Sequence, residues 1–135
     1  MKILLDTHAI IWALTDDPML SEKARRIISE DDNTVYYSLA SLWEIAIKNY
    51  KYPEKCPYNE KVIEDLCDRS GFLLLDISST HIQGLRNLKV KSGKELSNYD
   101  PFDRLLLSQA KTENMKLVSH DSNFENYEES CIFRI

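Results

Sequence analysis

The sequence predicts an α/β protein, with a three-layer α/β/α arrangement and a mostly parallel sheet of about five strands. Short apolar runs alternate along the chain with segments of helical periodicity, which is typical of a parallel sheet with helices on both faces. With 135 residues and 43% apolar content, the chain can bury a full core. We find no internal repeat, low-complexity tract or linker, so residues 1–135 are expected to form a single domain.

The first half of the chain predicts two strand–helix units. The run KILLD, Lys2 to Asp6, has the apolar character of a buried parallel strand, and THAIIWAL continues from it as a helix. Ser21 is placed to cap a second helix that ends at the acidic turn 30–33. The β-branched and aromatic run TVYYS predicts the next strand. The spacing of Ser41 and Glu44 is that of a capping box, which predicts a helix starting there.

The second half continues the alternation. Its predicted elements are, in order, an amphipathic helix Asn59–Asp68, a strand Phe72–Ile77, a short helix capped by Ser78, Ser79 or Thr80, a polar loop Leu88–Tyr99, a helix from Asp100 to Asn114, and strands Lys116–Asp121 and Cys131–Ile135. Asp100 followed by Pro101 is typical of an N-cap with proline at the first helical position.

Composition narrows the class of protein. Cys56, Cys67 and Cys131 are an odd set without C-x-x-C spacing, so neither a disulfide framework nor a zinc site is expected. No apolar run is long enough to cross a bilayer and no signal peptide is evident, so we expect a soluble cytoplasmic protein without a membrane partner. The net charge of −5 argues against general electrostatic binding of nucleic acid.

Four acids recur where predicted strands end or the following helices begin, namely Asp6, Glu44, Asp103 and Asp121. Each has a local explanation. Asp6 and Asp121 are placed to cap a helix or turn, and Asp103 suits the first turn of a helix. Glu44 is accounted for by the capping box or by an exposed ion pair with Lys48. Without these four, the chain has 18 acids and 17 bases, so its acidity would be local to one site.

The four positions are predicted to meet, because strand carboxyl ends and the helix starts that follow them share one edge of a parallel sheet. Carboxylates gathered there would repel one another unless they are protonated or bind a hard divalent cation such as Mg²⁺ or Mn²⁺. Such a site suits metal-assisted phosphodiester hydrolysis. No Ser or Cys nucleophile paired with a base is evident, and the three glycines make no phosphate-binding loop.

The segments LLDTHAIIWAL, SLASLWEIAIK, DPFDRLLLSQA and LVSHDSNF, in that order, closely resemble the PIN-domain family, and in particular the VapC-type toxins with a DPFDR motif. The resemblance covers the whole chain. It implies a PIN-like fold, a Mg²⁺- or Mn²⁺-dependent endoribonuclease that hydrolyses RNA by metal-activated water, a cognate antitoxin as partner, and a homodimer.

The resemblance assigns the catalytic and metal-binding acids residue by residue. Asp6 matches the acid closing the first strand, and Glu44 the acid of the helix after the second strand. Asp103 matches the third acid, because Ala110 lies where the family places an alanine, and Asp121 matches the more variable fourth. Asp100 is assigned chiefly as the cap that orients Asp103.

Supporting roles are predicted around these acids. Thr7 is expected to orient Asp6 through its hydroxyl, and Ser119 to support the site. RNA phosphates are expected to meet the bases Arg86, Lys89, Lys91, Lys94 and Arg104, although a solvated loop explains the first four equally well. The loop 86–99 is longer than in relatives, and Asn98 stands where they often carry a histidine. His8 and His81 occupy common family positions, where packing or capping is favoured over ligation.

Two other functions remain open from the residues alone. In a non-catalytic α/β interaction module, the acids would act only as helix caps and the sheet edge would bind a basic partner. In a phosphoryl-accepting domain, Asp6 would be the acceptor, but the lysine and paired acids expected there are missing.

Overall fold

The computed structural model describes residues 1–93 and 100–135, and its strands form one five-stranded sheet in the order β3-β2-β1-β4-β5. The elements are, along the chain, β1 (Lys2–Leu5), α1 (Thr7–Thr15), α2 (Glu22–Ser29), β2 (Thr34–Ser38), α3 (Leu39–Lys51), α4 (Glu60–Arg69), β3 (Leu73–Leu75), α5 (Ser79–Gln83), α6 (Pro101–Thr112), β4 (Lys116–Ser119) and β5 (Ile132–Arg134). Two 3₁₀ turns, Gly84–Asn87 and Ser122–Asn126, complete the described elements.

All four strand pairings are parallel, which confirms the predicted α/β class. The central strand β1 pairs with β2 on one side and with β4 on the other, so Leu4 lies beside Tyr36 and Leu117. Strand β1 is buried on both faces because its apolar residues are continuous: Ile3, Leu4 and Leu5 are all inaccessible to solvent.

Two hydrophobic layers flank the sheet. Ile3 and Leu5 of β1 pack with apolar side chains of α1, α3 and α4 on one face. Leu4, which points the other way, packs with Leu106, Leu107 and other residues of α6. The alternation of strand side chains thus divides the core into two layers, each covered by helices. In the described part of the chain, no helix is long and apolar enough to span a membrane.

The predicted strands Phe72–Ile77 and Lys116–Asp121 are shorter in the structure, as β3 and β4, and the predicted start of α3 is wrong. Helix α3 begins at Leu39, and its N-cap is Ser38, whose hydroxyl accepts a hydrogen bond from the Ala40 N–H at 3.0 Å. Ser41 is therefore already inside the helix, and the capping box with Glu44 does not form. The last residue of β2 supplies the cap, so the strand passes into the helix without a loop. Glu44 consequently lies in the second turn, where helix capping does not require it.

Candidate active site

The carboxyl ends of β1 and β4 are adjacent, and Asp6, the first of the predicted acids, lies between them. Asp6 follows β1, and its N–H donates to the carbonyl of Val118 in β4 at 3.1 Å. Its carboxylate is 6% exposed and is held at both oxygens. Oδ1 accepts from the Ala9 N–H at 2.8 Å, as the N-cap of α1, and Oδ2 accepts from the Ser119 hydroxyl. The predicted support of the site by Ser119 therefore has a structural basis.

The other acids approach from the starts of α3 and α6 and from the turn after β4. Glu44 is buried in α3, and Asp103 and Asp121 are half-buried. Asp100 caps α6 as predicted, accepting from the N–H groups of Phe102 at 2.8 Å and Asp103 at 3.2 Å. Asp121 accepts from the Asn123 N–H at 2.9 Å.

A single cleft of about 400 Å³ brings these acids together. Its lining includes all four acids predicted for catalysis, together with Asp100. Lys48, the expected ion-pair partner of Glu44, also lines it, and sequence reasoning missed four further wall residues, which are Trp12, His120, Ser122 and Arg134. The predicted meeting of the acids at one sheet edge is what the fold produces.

Burial and repulsion between the acids both act on Asp103. Burial, followed by the charges of the other four acids, raises its pKa from 3.8 to about 7. Burial also raises the pKa of Asp6, although the hydrogen bonds from Ser119 and Ala9 and the charge of His8 act in the opposite direction. The cleft therefore carries more carboxylate than its own positive charge balances, which favours protonation or a bound cation.

Lys48 supplies part of that positive charge. Its ammonium lies 2.8 Å from Oε2 of Glu44, one helical turn away, and the Glu44 side chain is only 9% exposed. Burial lowers the pKa of Lys48, but the hydrogen bond to Glu44 and the charges of Glu44 and Asp100 outweigh it and raise that pKa overall. The Glu44–Lys48 pair expected from the sequence is thus present, with a buried rather than an exposed carboxylate.

An aromatic row forms one wall of the cleft. The Trp12 ring meets the imidazoles of His8 and His120 edge to face, each at 5.6 Å between ring centroids. Both histidines are exposed and line the cleft. His81, by contrast, is buried at 2% exposure and forms a capping box with Ser78 at the start of α5. The favoured prediction for His81, a packed and capping residue, is confirmed.

Two predicted supporting contacts differ in the structure. The hydroxyl of Thr7 donates to the hydroxyl of Ser41 at 3.0 Å, so it ties α1 to α3 and does not orient Asp6. Arg104 is not part of the cleft lining. Its guanidinium donates to the Leu85 carbonyl at 3.0 Å and to the Tyr127 hydroxyl at 3.3 Å, which joins α6 to the neighbouring loops.

The described bases that were predicted to contact RNA are not part of the acidic cleft lining. Lys89 and Lys91 line an open groove of about 650 Å³, which shares Arg134 with the acidic cleft. Arg86 is exposed in the 3₁₀ turn after α5. Lys94 and Asn98 lie outside the described residues, as does most of the second half of the long loop 86–99.

The donor set fits a hard divalent cation in chemistry but does not converge in position. Carboxylate oxygens are the ligands that Mg²⁺ and Mn²⁺ prefer. Yet among residues 1–93 and 100–135, no three His, Cys, Asp or Glu side chains are placed to hold one ion together. The cleft has the ligands for such an ion without having them gathered around a point.

Comparisons with known proteins agree with this architecture. The family model described as PIN domain matches residues 3–130. VapBC2 from Rickettsia felis, bound to a DNA fragment from its promoter, is similar with a TM-score of 0.69 and 19% identity, over 99% of this chain and 98% of that one. DNA-bound VapBC from Salmonella typhimurium gives 0.66 and 19%, over 99% and 98%.

A third structure, Mycobacterium tuberculosis VapC20, described as a Sarcin-Ricin loop cleaving toxin, gives a TM-score of 0.56 and 13% identity, over 91% of this chain and 92% of that one. At such identities the likeness concerns the fold. A comparison with curated proteins gave no match. The family model spans nearly the whole sequence, from the first strand to the turn before the last strand. The chain therefore belongs to the PIN-domain family.

Proposed function

We propose that this chain, acting as one domain over residues 1–135, is a Mg²⁺- or Mn²⁺-dependent endoribonuclease and the VapC-type toxin of a toxin–antitoxin pair. The observation that carries the proposal is that Asp6, Glu44, Asp103 and Asp121 all line one cleft at the carboxyl edge of the sheet. Membership of the PIN-domain family and the likeness to VapBC structures support it.

In this proposal the four acids hold the divalent cation and Ser119 keeps Asp6 in place. When bound, the cation activates water and offsets charge on the scissile phosphate. The chain's own contribution is to present carboxylates of unequal basicity. In the cation-free protein, burial and the neighbouring acids raise the pKa of Asp103 to about 7, so near neutral pH this carboxyl would exchange its proton for the cation. The hydrogen bonds to Asp6 favour its ionised form against the effect of burial.

The alternative of a non-catalytic interaction module has one observation in its favour. Asp6, Asp100 and Asp121 all accept hydrogen bonds from the backbone N–H groups of the helix or turn that follows. Capping does not explain the remaining two acids. Glu44 lies in the second turn of α3, and the start of α6 is already capped by Asp100. A fold that needed only caps would not bring two further carboxylates into the same cleft.

The partners follow from the same family. A cognate antitoxin is the expected inhibitor, because two of the similar structures are VapBC assemblies. We also propose that the protein acts in the cytoplasm as a homodimer and belongs to the subgroup with the DPFDR motif. We propose RNA as the class of substrate.

The test is cleavage of single-stranded RNA by the purified chain. We expect cleavage with Mg²⁺ or Mn²⁺, its loss with EDTA, and its recovery when the cation is restored. Glu44→Gln and Asp103→Asn should abolish it, whereas Asp65→Asn, which changes an exposed acid of α4, should not. Equal cleavage by all variants, or cleavage that persists in EDTA, would rule out the proposed site.

A further inference from the structure

The pairing of Lys48 with Glu44 differs from an ordinary helix-surface ion pair because its carboxylate is buried. Pairs spaced four residues apart on exposed helix faces contribute only a few tenths of a kcal/mol. Here the acid is buried, with a side-chain exposure of 9% against 41% for the lysine. A buried carboxylate is costly unless a positive charge accompanies it. Lys48 is therefore the positive charge that accompanies the buried Glu44 carboxylate in the cleft.

Among the described residues of the cleft lining, Arg134 also carries a fixed positive charge, but Lys48 differs from it in its partner. The Arg134 guanidinium lies 2.6 Å from Glu125, an exposed acid that is not part of the lining. Lys48 instead binds one of the acids proposed to hold the cation. It also lines the adjoining groove of about 530 Å³, so its ammonium has space to move away from Glu44 along the same wall.

We propose that Lys48 is a positioning residue that acts through Glu44: its ammonium occupies the carboxylate in the cation-free protein and competes with the divalent cation for it. This inference rests on the proposed function. Competition by Lys48 explains why the carboxylates line the cleft but are not placed to hold one ion together among the described residues. The Glu44 carboxylate is paired with Lys48, a residue of its own helix. Filling the site then requires exchange of one cation for another at Glu44, and Lys48 sets the metal concentration at which this occurs.

The experiment is isothermal titration of the chain with Mn²⁺ at pH 8, together with thermal unfolding in EDTA. In Lys48→Met the competing charge is removed, so we expect Mn²⁺ to bind about tenfold more tightly, the effect of one unit charge about 6 Å from a divalent ion under water-like screening. In EDTA the same variant should melt at a lower temperature than wild type, because Glu44 is left buried without its partner.

Two matched variants complete the design. Lys48→Arg keeps the charge beside Glu44 and should restore the wild-type affinity. Lys51→Met removes the same charge from the last turn of the same helix, at an exposed position outside the cleft lining, and should leave the Mn²⁺ affinity unchanged and lower the melting temperature less than Lys48→Met does. If Lys48→Met does not fold, Lys48→Gln removes the charge while keeping a hydrogen-bond donor for Glu44, and it should show the same gain in affinity.

The outcomes separate this inference from the proposed function. If wild type binds Mn²⁺ and the charge-removing variants bind it equally or more weakly, Lys48 does not compete and the inference is wrong while the metal site stands. If a charge-removing variant binds Mn²⁺ and wild type does not, the inference is supported in its strongest form. If none of the proteins binds Mn²⁺, the proposed metal-dependent function and the inference both fail.

Discussion

Replacing Asp103 with asparagine is expected to stabilise the cation-free protein at alkaline pH. Charged Asp103 faces four other acids from a half-buried position at the start of α6, and its pKa is raised from 3.8 to about 7. Because the folded protein holds this proton more tightly than the unfolded chain, ionisation of Asp103 opposes folding. Asparagine has nearly the same shape and removes the charge, so the variant avoids that cost.

The size of the effect follows from the difference between the two pKa values. A rise of the Asp103 pKa from 3.8 to about 7 corresponds to about 4 kcal/mol of unfolding free energy before solvent screening is taken into account. Asp103 is partly exposed, and solvent screening reduces this to about 2 kcal/mol. The helix dipole favours an acid in the first turn by about 0.5 kcal/mol, which the variant forfeits. We therefore expect Asp103→Asn to gain about 1.5 kcal/mol of unfolding free energy at pH 8.

The sign of the pH dependence is fixed by linkage. Between pH 4 and 7 the folded protein binds more protons at Asp103 than the unfolded chain does, so this residue makes wild type less stable as the pH rises through that window. Above about pH 7 the penalty is complete, and below pH 4 it is nearly absent. The advantage of the variant should grow from pH 4 to 7 and then remain constant.

Urea unfolding in EDTA at pH 4, 6 and 8 measures the difference directly. Glu22→Gln is the control, because Glu22 is an exposed acid in the first turn of α2, away from the cleft. It should lose up to about 0.5 kcal/mol at pH 8 and show no comparable gain. The reasoning is refuted if Asp103→Asn is less stable than wild type at pH 8, or if its advantage is the same at pH 4 and pH 8.

Three further substitutions have defined outcomes. Ser119→Ala removes the buried hydroxyl that donates to Asp6 and should cost about 1–3 kcal/mol in chemical unfolding at pH 8 while weakening Mn²⁺ binding in a calorimetric titration. Gly84→Ala should cost about 1–3 kcal/mol, because the new Cβ would lie 2.7 Å from the Ser108 hydroxyl oxygen; an unchanged melting temperature would contradict this. Leu106→Ala should cost about 2–5 kcal/mol of unfolding free energy in chemical unfolding, since the Leu106 side chain is 1% exposed in the core between α6 and the sheet.

The order of elements was predictable because hydrophobic periodicity and capping are local. KILLD and TVYYS become β1 and β2, and Asp100 caps α6 where the Asp-Pro pair indicates. The clustering of the acids followed from topology, since parallel strands end at one edge. The capping box at Ser41 failed because the sequence offered two serines, and only the strand's end at Ser38 decides between them.

The parts of the site that sequence could not predict depend on which side chains face one another across the fold. The Thr7 hydroxyl donates to that of Ser41, 34 positions away, and not to its neighbour Asp6. The Trp12 ring joins His120 only because β4 lies beside β1. The Glu44–Lys48 pair was visible in the spacing, but the burial of its carboxylate, which gives the pair its importance, required the packing of the helix.

The most direct test of the proposed chemistry is to identify the RNA ends that the protein produces. Cleavage of a defined single-stranded RNA with Mn²⁺ in ¹⁸O-labelled water should place one ¹⁸O atom on the new terminal phosphate, because water supplies the attacking oxygen. Mass spectrometry of the fragments detects it. An unlabelled 2′,3′-cyclic phosphate would mean that the RNA's own hydroxyl attacks, and would contradict the proposal that the acids of this cleft support hydrolysis by water.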